Sequence, residues 1–594
     1  MSDGSTDRPA DPDPPGPTDP PGPTAPSAAP APTCRAFAAV DLGATSGRVI
    51  VGEVTGGPGS ERVELTEVAR FANEPVLLPP TRGDGPEVLT WDLPALWRGI
   101  LDGLRDAVAR FGRLAGVGID SWAVDYGIVD DAGRLLAAPV CYRDARTTPV
   151  LARVFDRVPA PDQYAVNGLQ VQPFTTAFQL LADPVVATRV ASTPTDGGAA
   201  APTARPPISD ATGGGHPAGT PAGGARVLLL PDLLGAWLTG VERAELTNAS
   251  TTGLLDAATR TWSTDLLARF GLPSDLLPDL VAPGELLGAV RPAIAARLGL
   301  ERQATLPVWT VGSHDTASAV VAVPLSTPSA AYVSCGTWSL VGLELPEPVL
   351  TEASRAANVT NEAGVDGTVR YLKNVMGLWV LSEALRWYAS VGEPVQLADA
   401  LAAARAVRPL RTVVDIDDAT LLPPGDMPGR LAVLARATGQ PVPSDVGEVV
   451  RCILDSLALA YRRSVREVGT LAGREVDVVH VVGGGVHNAD LMQLAADALG
   501  VPVVAGPAEG AALGNVLVQA RAAGLLAGTL ADLRRVVERS TTLVTFTPGA
   551  TGGAGAAAWD DAETRAHGGA PTDPIDDPRP SRGRHPSATT QERP

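Results

Sequence analysis

The chain has 594 residues, of which 45% are hydrophobic and 19% charged, and its formal net charge is -19. That length accommodates two or three domains with a large buried core. So acidic a balance repels polyphosphate and anionic lipid, which excludes nucleic acid and membrane surfaces as expected partners and favours a small-molecule enzyme. The four cysteines are scattered, with neither metal-ligand spacing nor the density of a disulfide framework, so a reducing, cytoplasmic setting is expected. No apolar run reaches about 18 residues, and the N-terminal stretch lacks the basic and then apolar pattern of a signal peptide.

Lys373 is the single lysine and stands in Tyr371-Leu372-Lys373-Asn374. A Walker A loop needs Gly-Lys-Ser/Thr, so the P-loop class is excluded. The chain also has no His-Arg-Asp catalytic loop, which removes the protein kinases.

In chain order, residues 1–34 are rich in Pro, Asp and Thr and read as a disordered tail. The run Phe37–Val40 enters Asp41-Leu42-Gly43-Ala44-Thr45-Ser46-Gly47-Arg48 and is followed by Val49-Ile50-Val51, a strand–turn–strand hairpin. Asp92 offers an N-cap with Pro94 in the first turn of a helix whose Leu93, Trp97, Ile100, Leu101, Leu104, Val108 and Phe111 recur at helical spacing. Gly118 to Val129 reads as a strand and turn. Residues 192–224 carry almost no large apolar side chains and read as a flexible insertion. Leu228–Leu230, Val308–Val311 and Ala331–Ser334 read as buried strands. Asp445 and Glu448 predict a capping box ahead of Val446, Val450, Ile453, Leu457 and Tyr461 on one helix face. Val479–Val482 predicts a strand ending in Gly483-Gly484-Gly485. Asn488 then caps a helix that Gly500 stops, and a strand (Val501–Ala505) and a helix (Ala511–Ala523) follow. Residues 549–594 read as a second disordered tail. The alternation of strands and helices predicts an α/β protein. Gly43-Ala44-Thr45-Ser46 is echoed by Gly336-Thr337-Trp338-Ser339, which points to two similar halves with a ligand between them.

Three motifs bear on chemistry. The turn Ala44–Arg48 exposes backbone N–H groups, hydroxyls of Thr45 and Ser46 and the charge of Arg48, a set that can hold phosphate oxygens, with Asp41 placed to hold hydrated Mg²⁺. On residue types alone it is equally an ordinary tight hairpin. In Ser313-His314-Asp315-Thr316-Ala317, Asp315 can take a proton from an attacking hydroxyl, or can simply be a helix N-cap. Gly483-Gly484-Gly485 lets a nucleotide approach the backbone closely, or is a bare helix-entry turn. Asn374 can hydrogen-bond a sugar, while Trp379 reads as core packing.

Taken together and in order, these strings resemble the rhamnulokinase branch of the FGGY carbohydrate kinases. The match runs through Asp41–Arg48, Gly118–Gly127, Tyr142–Thr147, Pro231–Leu234, Ser313–Val320, Ser334–Leu340, Lys373–Trp379 and Gly483–Gly485, covering about 36 to 548. The resemblance implies two ribonuclease-H-like lobes of the actin-like ATPase type, over 35–322 and 323–548, with the active site in a cleft between them. It implies that Ala44, Thr45, Ser46, Gly47, Arg48, Thr337 and Gly484 contact ATP, that His314, Asp315, Thr316 and Asn374 contact the sugar, and that Asp315 accepts the proton. Two positions depart from the family pattern. Ala123 stands where the family has a sugar-contacting Gly, and Ser382 where it has a nucleotide-side Gln. The implied reaction is ATP-dependent phosphorylation of L-rhamnulose. The rivals are kinases for other ketoses or polyols, such as L-fuculose or D-xylulose, and a non-catalytic sugar sensor.

Overall fold

The computed structural model describes residues 35–80, 85–192, 224–301, 305–325, 327–549 and 554–568. The tail 1–34, nearly all of the 192–224 insertion and the last residues, 569–594, lie outside these.

The apolar run expected at the start forms β1 (Ala36–Leu42), buried along its whole length, and turns back into β2 (Ser46–Thr55). Four further strands complete the first sheet: β3 (Arg62–Ala72), β4 (Gly116–Ser121), β5 (Leu286–Ala289) and β6 (Pro307–Trp309). Their order is β5-β6-β4-β1-β2-β3. The β1–β2–β3 meander is antiparallel, β4 and β6 run parallel to β1, and β5 is antiparallel to β6. The second sheet contains β7 (Ala330–Cys335), β8 (Trp338–Leu345), β9 (Thr360–Ala363), β10 (Val369–Met376), β11 (Val478–Val482), β12 (Val503–Ala505) and β13 (Val544–Phe546). Its order is β9-β10-β8-β7-β11-β12-β13. Here β7, β8 and β10 are antiparallel neighbours, β11 and β12 run parallel to β7, and β13 is antiparallel to β12. The two sheets therefore match strand for strand, and β9 is an added edge. The short sequence echo marks the same hairpin, β1–β2 and β7–β8, in two repeated halves. This is the two-lobed α/β architecture expected.

Helices cover both faces of each sheet, which is why the central parallel strands are buried throughout. The helix Leu93–Phe111 starts where its cap predicts, with the Asp92 carboxylate accepting from the Ala95 N–H. Its buried stripe is Leu93, Leu96, Ile100, Gly103, Leu104 and Ala107. Trp97, Leu101, Val108 and Phe111 flank that stripe as partly buried neighbours rather than lying at its centre. The long helix Val446–Ala472 buries Val450, Ile453, Leu457 and Tyr461 as expected. Its capping box is only half formed. Asp445 accepts from the Glu448 N–H, but Glu448 turns to the N–H and hydroxyl of Ser444.

Equivalent helices follow β6 and β12, and they hold the halves together. Asp315–Val321 packs against Gly510–Ala522 so closely that a Cβ on Gly514 would lie 1.8 Å from the Ser318 carbonyl oxygen. The second of these helices also lies on the first sheet. Gln519 donates to the Ala38 carbonyl at 3.0 Å, and Asn515 donates to Asp120 at 2.5 Å. Leu513, Val516 and Leu517 share one apolar cluster with Phe37, Ile50 and Val321.

The expectation of a disordered tail from 549 onward is corrected in part. Residues Ala556–Ala566 form a helix, with Trp559 buried among Leu410, Val413, Leu459 and Ala498. Asp560 pairs with Arg462, whose side chain is fully buried. The Ala-rich composition hid this helix, because a single Trp supplies most of its apolar surface.

Two substitutions test these contacts. Gly514→Ala forces a methyl into backbone and is expected to lower stability by about 1–3 kcal/mol, read as a fall in the denaturant midpoint. Trp559→Ala empties the C-terminal cluster and is expected to cost about 3–5 kcal/mol in the same measurement.

Candidate active site

The repeated topology brings four backbone features to one cleft of about 550 Å³. Two are the hairpin turns, Gly43–Ser46 and Gly336–Trp338. The others are the first turns of the helices beginning at Asp315 and Gly510. The first hairpin is fixed from β3: the Asn73 amide donates to the Gly43 carbonyl at 2.8 Å, and its N–H donates to the Thr45 carbonyl at 3.1 Å. Ala44, Thr45, Ser46, Arg48 and Asp41 all line the cleft.

Arg48 reaches Asp41 with one nitrogen and Glu509 with the other. Burial raises the Asp41 pKa and wins over the opposing pull of Arg48, with Asp315 adding to the rise. Asp120 sits directly beside it, since Asp41 and Asp120 are register partners on β1 and β4. Burial, reinforced by Asp41, pushes the Asp120 carboxyl well above the usual range, and its Oδ1 finds no hydrogen-bond partner. Burial and neighbouring carboxylates raise the pKa of both Asp41 and Asp120, a penalty that a nearby cation would relieve. Among the described residues no three acidic, His or Cys side chains are grouped closely enough to ligate a metal directly.

Asp315 lines the cleft and is the first helical residue, with His314 at the N-cap position. Its carboxylate accepts from the Thr316 N–H of the first helical turn at 2.5 Å and from the Thr316 hydroxyl at 3.0 Å. One-third of its side chain is exposed, which leaves it reachable from the cleft. His314 and Thr316 also line the cleft, as does Asn374, whose amide donates to Gln170 at 2.9 Å.

Ala123 lies on the wall of the cleft next to Val124. Val124 holds φ at 68°, a left-handed backbone that a β-branched residue adopts only under strain of about 1–3 kcal/mol. Thr176 and Gln179 secure it by donating to its carbonyl. Nearby, Asp125 accepts from the indole N–H groups of Trp91 at 2.6 Å and Trp122 at 3.0 Å, which fixes this aromatic side of the pocket.

The three glycines divide between two roles. A Cβ at Gly485 would lie 2.1 Å from the Cys335 Sγ, and one at Gly483, where φ is 90°, would lie 2.8 Å from the Cys335 carbonyl oxygen. Those two are small because β7 passes beneath them. Gly484 has open space around it and borders the cleft with Thr337.

Two residues expected at the site are not among those lining the cleft. Gly47 is buried in β2 with Phe71 and Leu42 against it. Ser382 lies on an exposed face of the helix Trp379–Ser390. Trp379 packs partly buried against the second-lobe core, as its core reading predicts. Conversely, Asp120, Glu362 and Glu509 were not singled out by sequence reading. For Asp120 a signal existed, an acid in the apolar run Gly118-Ile119-Asp120; for the other two only the tertiary arrangement reveals it.

The comparisons agree with this geometry. Models of the FGGY family of carbohydrate kinases match residues 221–322 with the N-terminal domain and 331–523 with the C-terminal domain. A rhamnulokinase from Bacteroides thetaiotaomicron is 37% identical over 528 residues, covering 88% of this chain and 97% of the relative. One from Pectobacterium carotovorum is 38% identical over 512 residues, covering 86% and 92%. Among solved structures, a xylulose kinase from Rhodospirillum rubrum superposes with a TM-score of 0.66 at 20% identity, covering 90% of this chain and 98% of that one. A gluconate kinase from Lactobacillus acidophilus gives 0.67 at 14%, covering 90% and 96%. The chain belongs to the FGGY family of carbohydrate kinases, and within it to the rhamnulokinases.

Proposed function

We propose that this kinase transfers the γ-phosphoryl group of ATP to the C1 hydroxyl of L-rhamnulose, giving L-rhamnulose 1-phosphate and ADP. The observation that carries this reading is Asp315: a partly exposed carboxylate at a helix start, facing a cleft whose far side is built from two Gly-containing hairpin turns. Asp315 accepts the C1 hydroxyl proton as that oxygen attacks phosphorus in line. Most of the remaining work is positioning and charge neutralisation. Backbone N–H groups of Ala44–Ser46, of Thr337 and of the helix beginning at Gly510 face the phosphates, where the helix dipole favours negative charge. Arg48 exchanges Glu509 for phosphate oxygens. Gly484 leaves room for the nucleotide, and His314, Thr316 and Asn374 hold the sugar. Bound Mg²⁺ offsets phosphate charge, and Asp41 with Asp120 would hold its water shell.

The lobe boundary is placed near residue 322, between the helix that carries Asp315 and β7. The helix Ala556–Ala566 belongs with the second lobe. The three described cysteines are buried and unpaired, and among the described residues no helix is long and apolar enough to cross a membrane. The unpaired cysteines support a cytoplasmic setting.

Asp315→Asn is expected to lower kcat by about 10²- to 10⁴-fold while nucleotide still binds, measured by a coupled ADP assay and by nucleotide titration. Unchanged turnover removes Asp315 as the base. A panel of L-rhamnulose, L-fuculose, D-xylulose and glycerol in the same assay is expected to rank L-rhamnulose first by kcat/KM. Ala123→Gly is expected to widen acceptance of the other ketoses, since a methyl group is worth roughly 10-fold or more in such a pocket.

A further inference from the structure

We infer that Arg370, a residue of the lobe opposite the base, fixes the tautomer of His314 and so positions the proton-accepting carboxylate. The inference rests on the assignment of Asp315 as that base.

Glu362 and Arg370 are cross-strand partners on β9 and β10 of the second sheet. The Arg370 side chain is fully buried. Its Nε donates to the Ala363 carbonyl at 3.1 Å, and one terminal nitrogen lies 2.9 Å from Glu362 Oε2. The other terminal nitrogen lies 3.1 Å from His314 Nδ1, across the lobe boundary. A guanidinium only donates and stays protonated. His314 Nδ1 must then offer its lone pair, which puts the ring proton on Nε2. That nitrogen stands 3.5 Å from Asp315 Oδ1. The ring proton is thus carried by the nitrogen that neighbours the carboxylate that is to receive another proton from the sugar, where its positive end favours one orientation of that carboxylate.

Glu362 explains why this control is needed. Its Oε2 is 3.3 Å from the same Nδ1. Burial raises the Glu362 pKa, and the Arg370 charge leads the opposing pull that brings it below the ordinary carboxylate range. Without Arg370, this carboxylate would draw a proton onto Nδ1. The ring would then either become cationic beside Asp315 or turn a bare Nε2 lone pair toward it, and in both cases the base is impaired. Arg370 thus cancels the Glu362 charge and selects one tautomer in a single contact. Because His314 and Arg370 sit on different halves of the chain, this selection exists only when the lobes are docked at that point. Arg370 is a positioning residue: it does not border the cleft, whereas Glu362 and His314 do.

The test is ¹⁵N spectroscopy of the full-length protein labelled at its six histidines, with the His314 signals assigned by their loss in His314→Asn. At neutral pH, and with Asp315 intact, His314 is expected as the neutral Nε2–H tautomer. A neutral Nδ1–H ring, or an imidazolium, overturns the inference. In parallel, Arg370→Met is expected to shift His314 away from Nε2–H and to lower kcat roughly 10- to 100-fold with KM for ATP unchanged. Arg370→Lys is expected to restore part of kcat. Should Arg370→Met fold poorly, the double variant Glu362→Met/Arg370→Met removes both buried charges and is expected to lose the strict Nε2–H preference of the unaltered protein; an unaltered tautomer there overturns the inference. An unshifted tautomer in folded Arg370→Met also overturns it. Failure of the Asp315 assignment would appear separately, as retained turnover in Asp315→Asn with the tautomer unaltered.

Discussion

The site depends on one close approach. The backbone of Ser318 lies where Gly514 has no side chain, and this lets the helices Asp315–Val321 and Gly510–Ala522 touch. Each follows the equivalent strand of its own sheet, so their contact sets the relation between the halves and directs both N-terminal turns into the same cleft. The hairpins β1–β2 and β7–β8 then face that cleft by topology alone. Two hairpin turns and two helix starts bring backbone to the pocket, and larger side chains such as Trp122, Tyr142 and Phe174 also line it. Such scaffolding suits phosphoryl transfer, where fixed dipoles act without reorganisation cost.

The cleft concentrates acid. Burial and neighbouring carboxylates raise the pKa of Asp41 and Asp120, and Arg48 stands between Asp41 and Glu509. This charge deters an anionic nucleotide from entering without a cation. The buried pair of Glu362 and Arg370 works differently. Its charges cancel, and a misplaced proton on His314 is what the pair prevents. Breaking either partner strands the other in a low-dielectric interior.

Much of the fold was legible because the elements are locally consistent. Asp92, Asn488 and Gly500 act at their helix ends as their residue types require. The triple glycine was legible as a strand-to-helix turn, but not that Gly483 and Gly485 serve packing against Cys335 while Gly484 is open to the cleft. That division exists only once β7 pairs beside β11. Asp315 reads locally as either cap or base; only the tertiary structure shows it bordering the cleft one residue past the N-cap position. Glu362 and Arg370 lie in ordinary alternating strands, and nothing local marks them. The C-terminal helix was missed because its composition resembles the linker before it, and its stability comes from where Trp559 lands.

The duplicated scaffold is symmetric in its strands and asymmetric at one place. Where the first half begins its helix with Asp315, the second begins with Gly510. On the proposed reading the carboxylate at one end removes a proton and the bare peptide at the other attracts an anion. Acceptor and donor molecules then cannot trade places between the two halves, and the phosphoryl group has a direction of travel written into the fold.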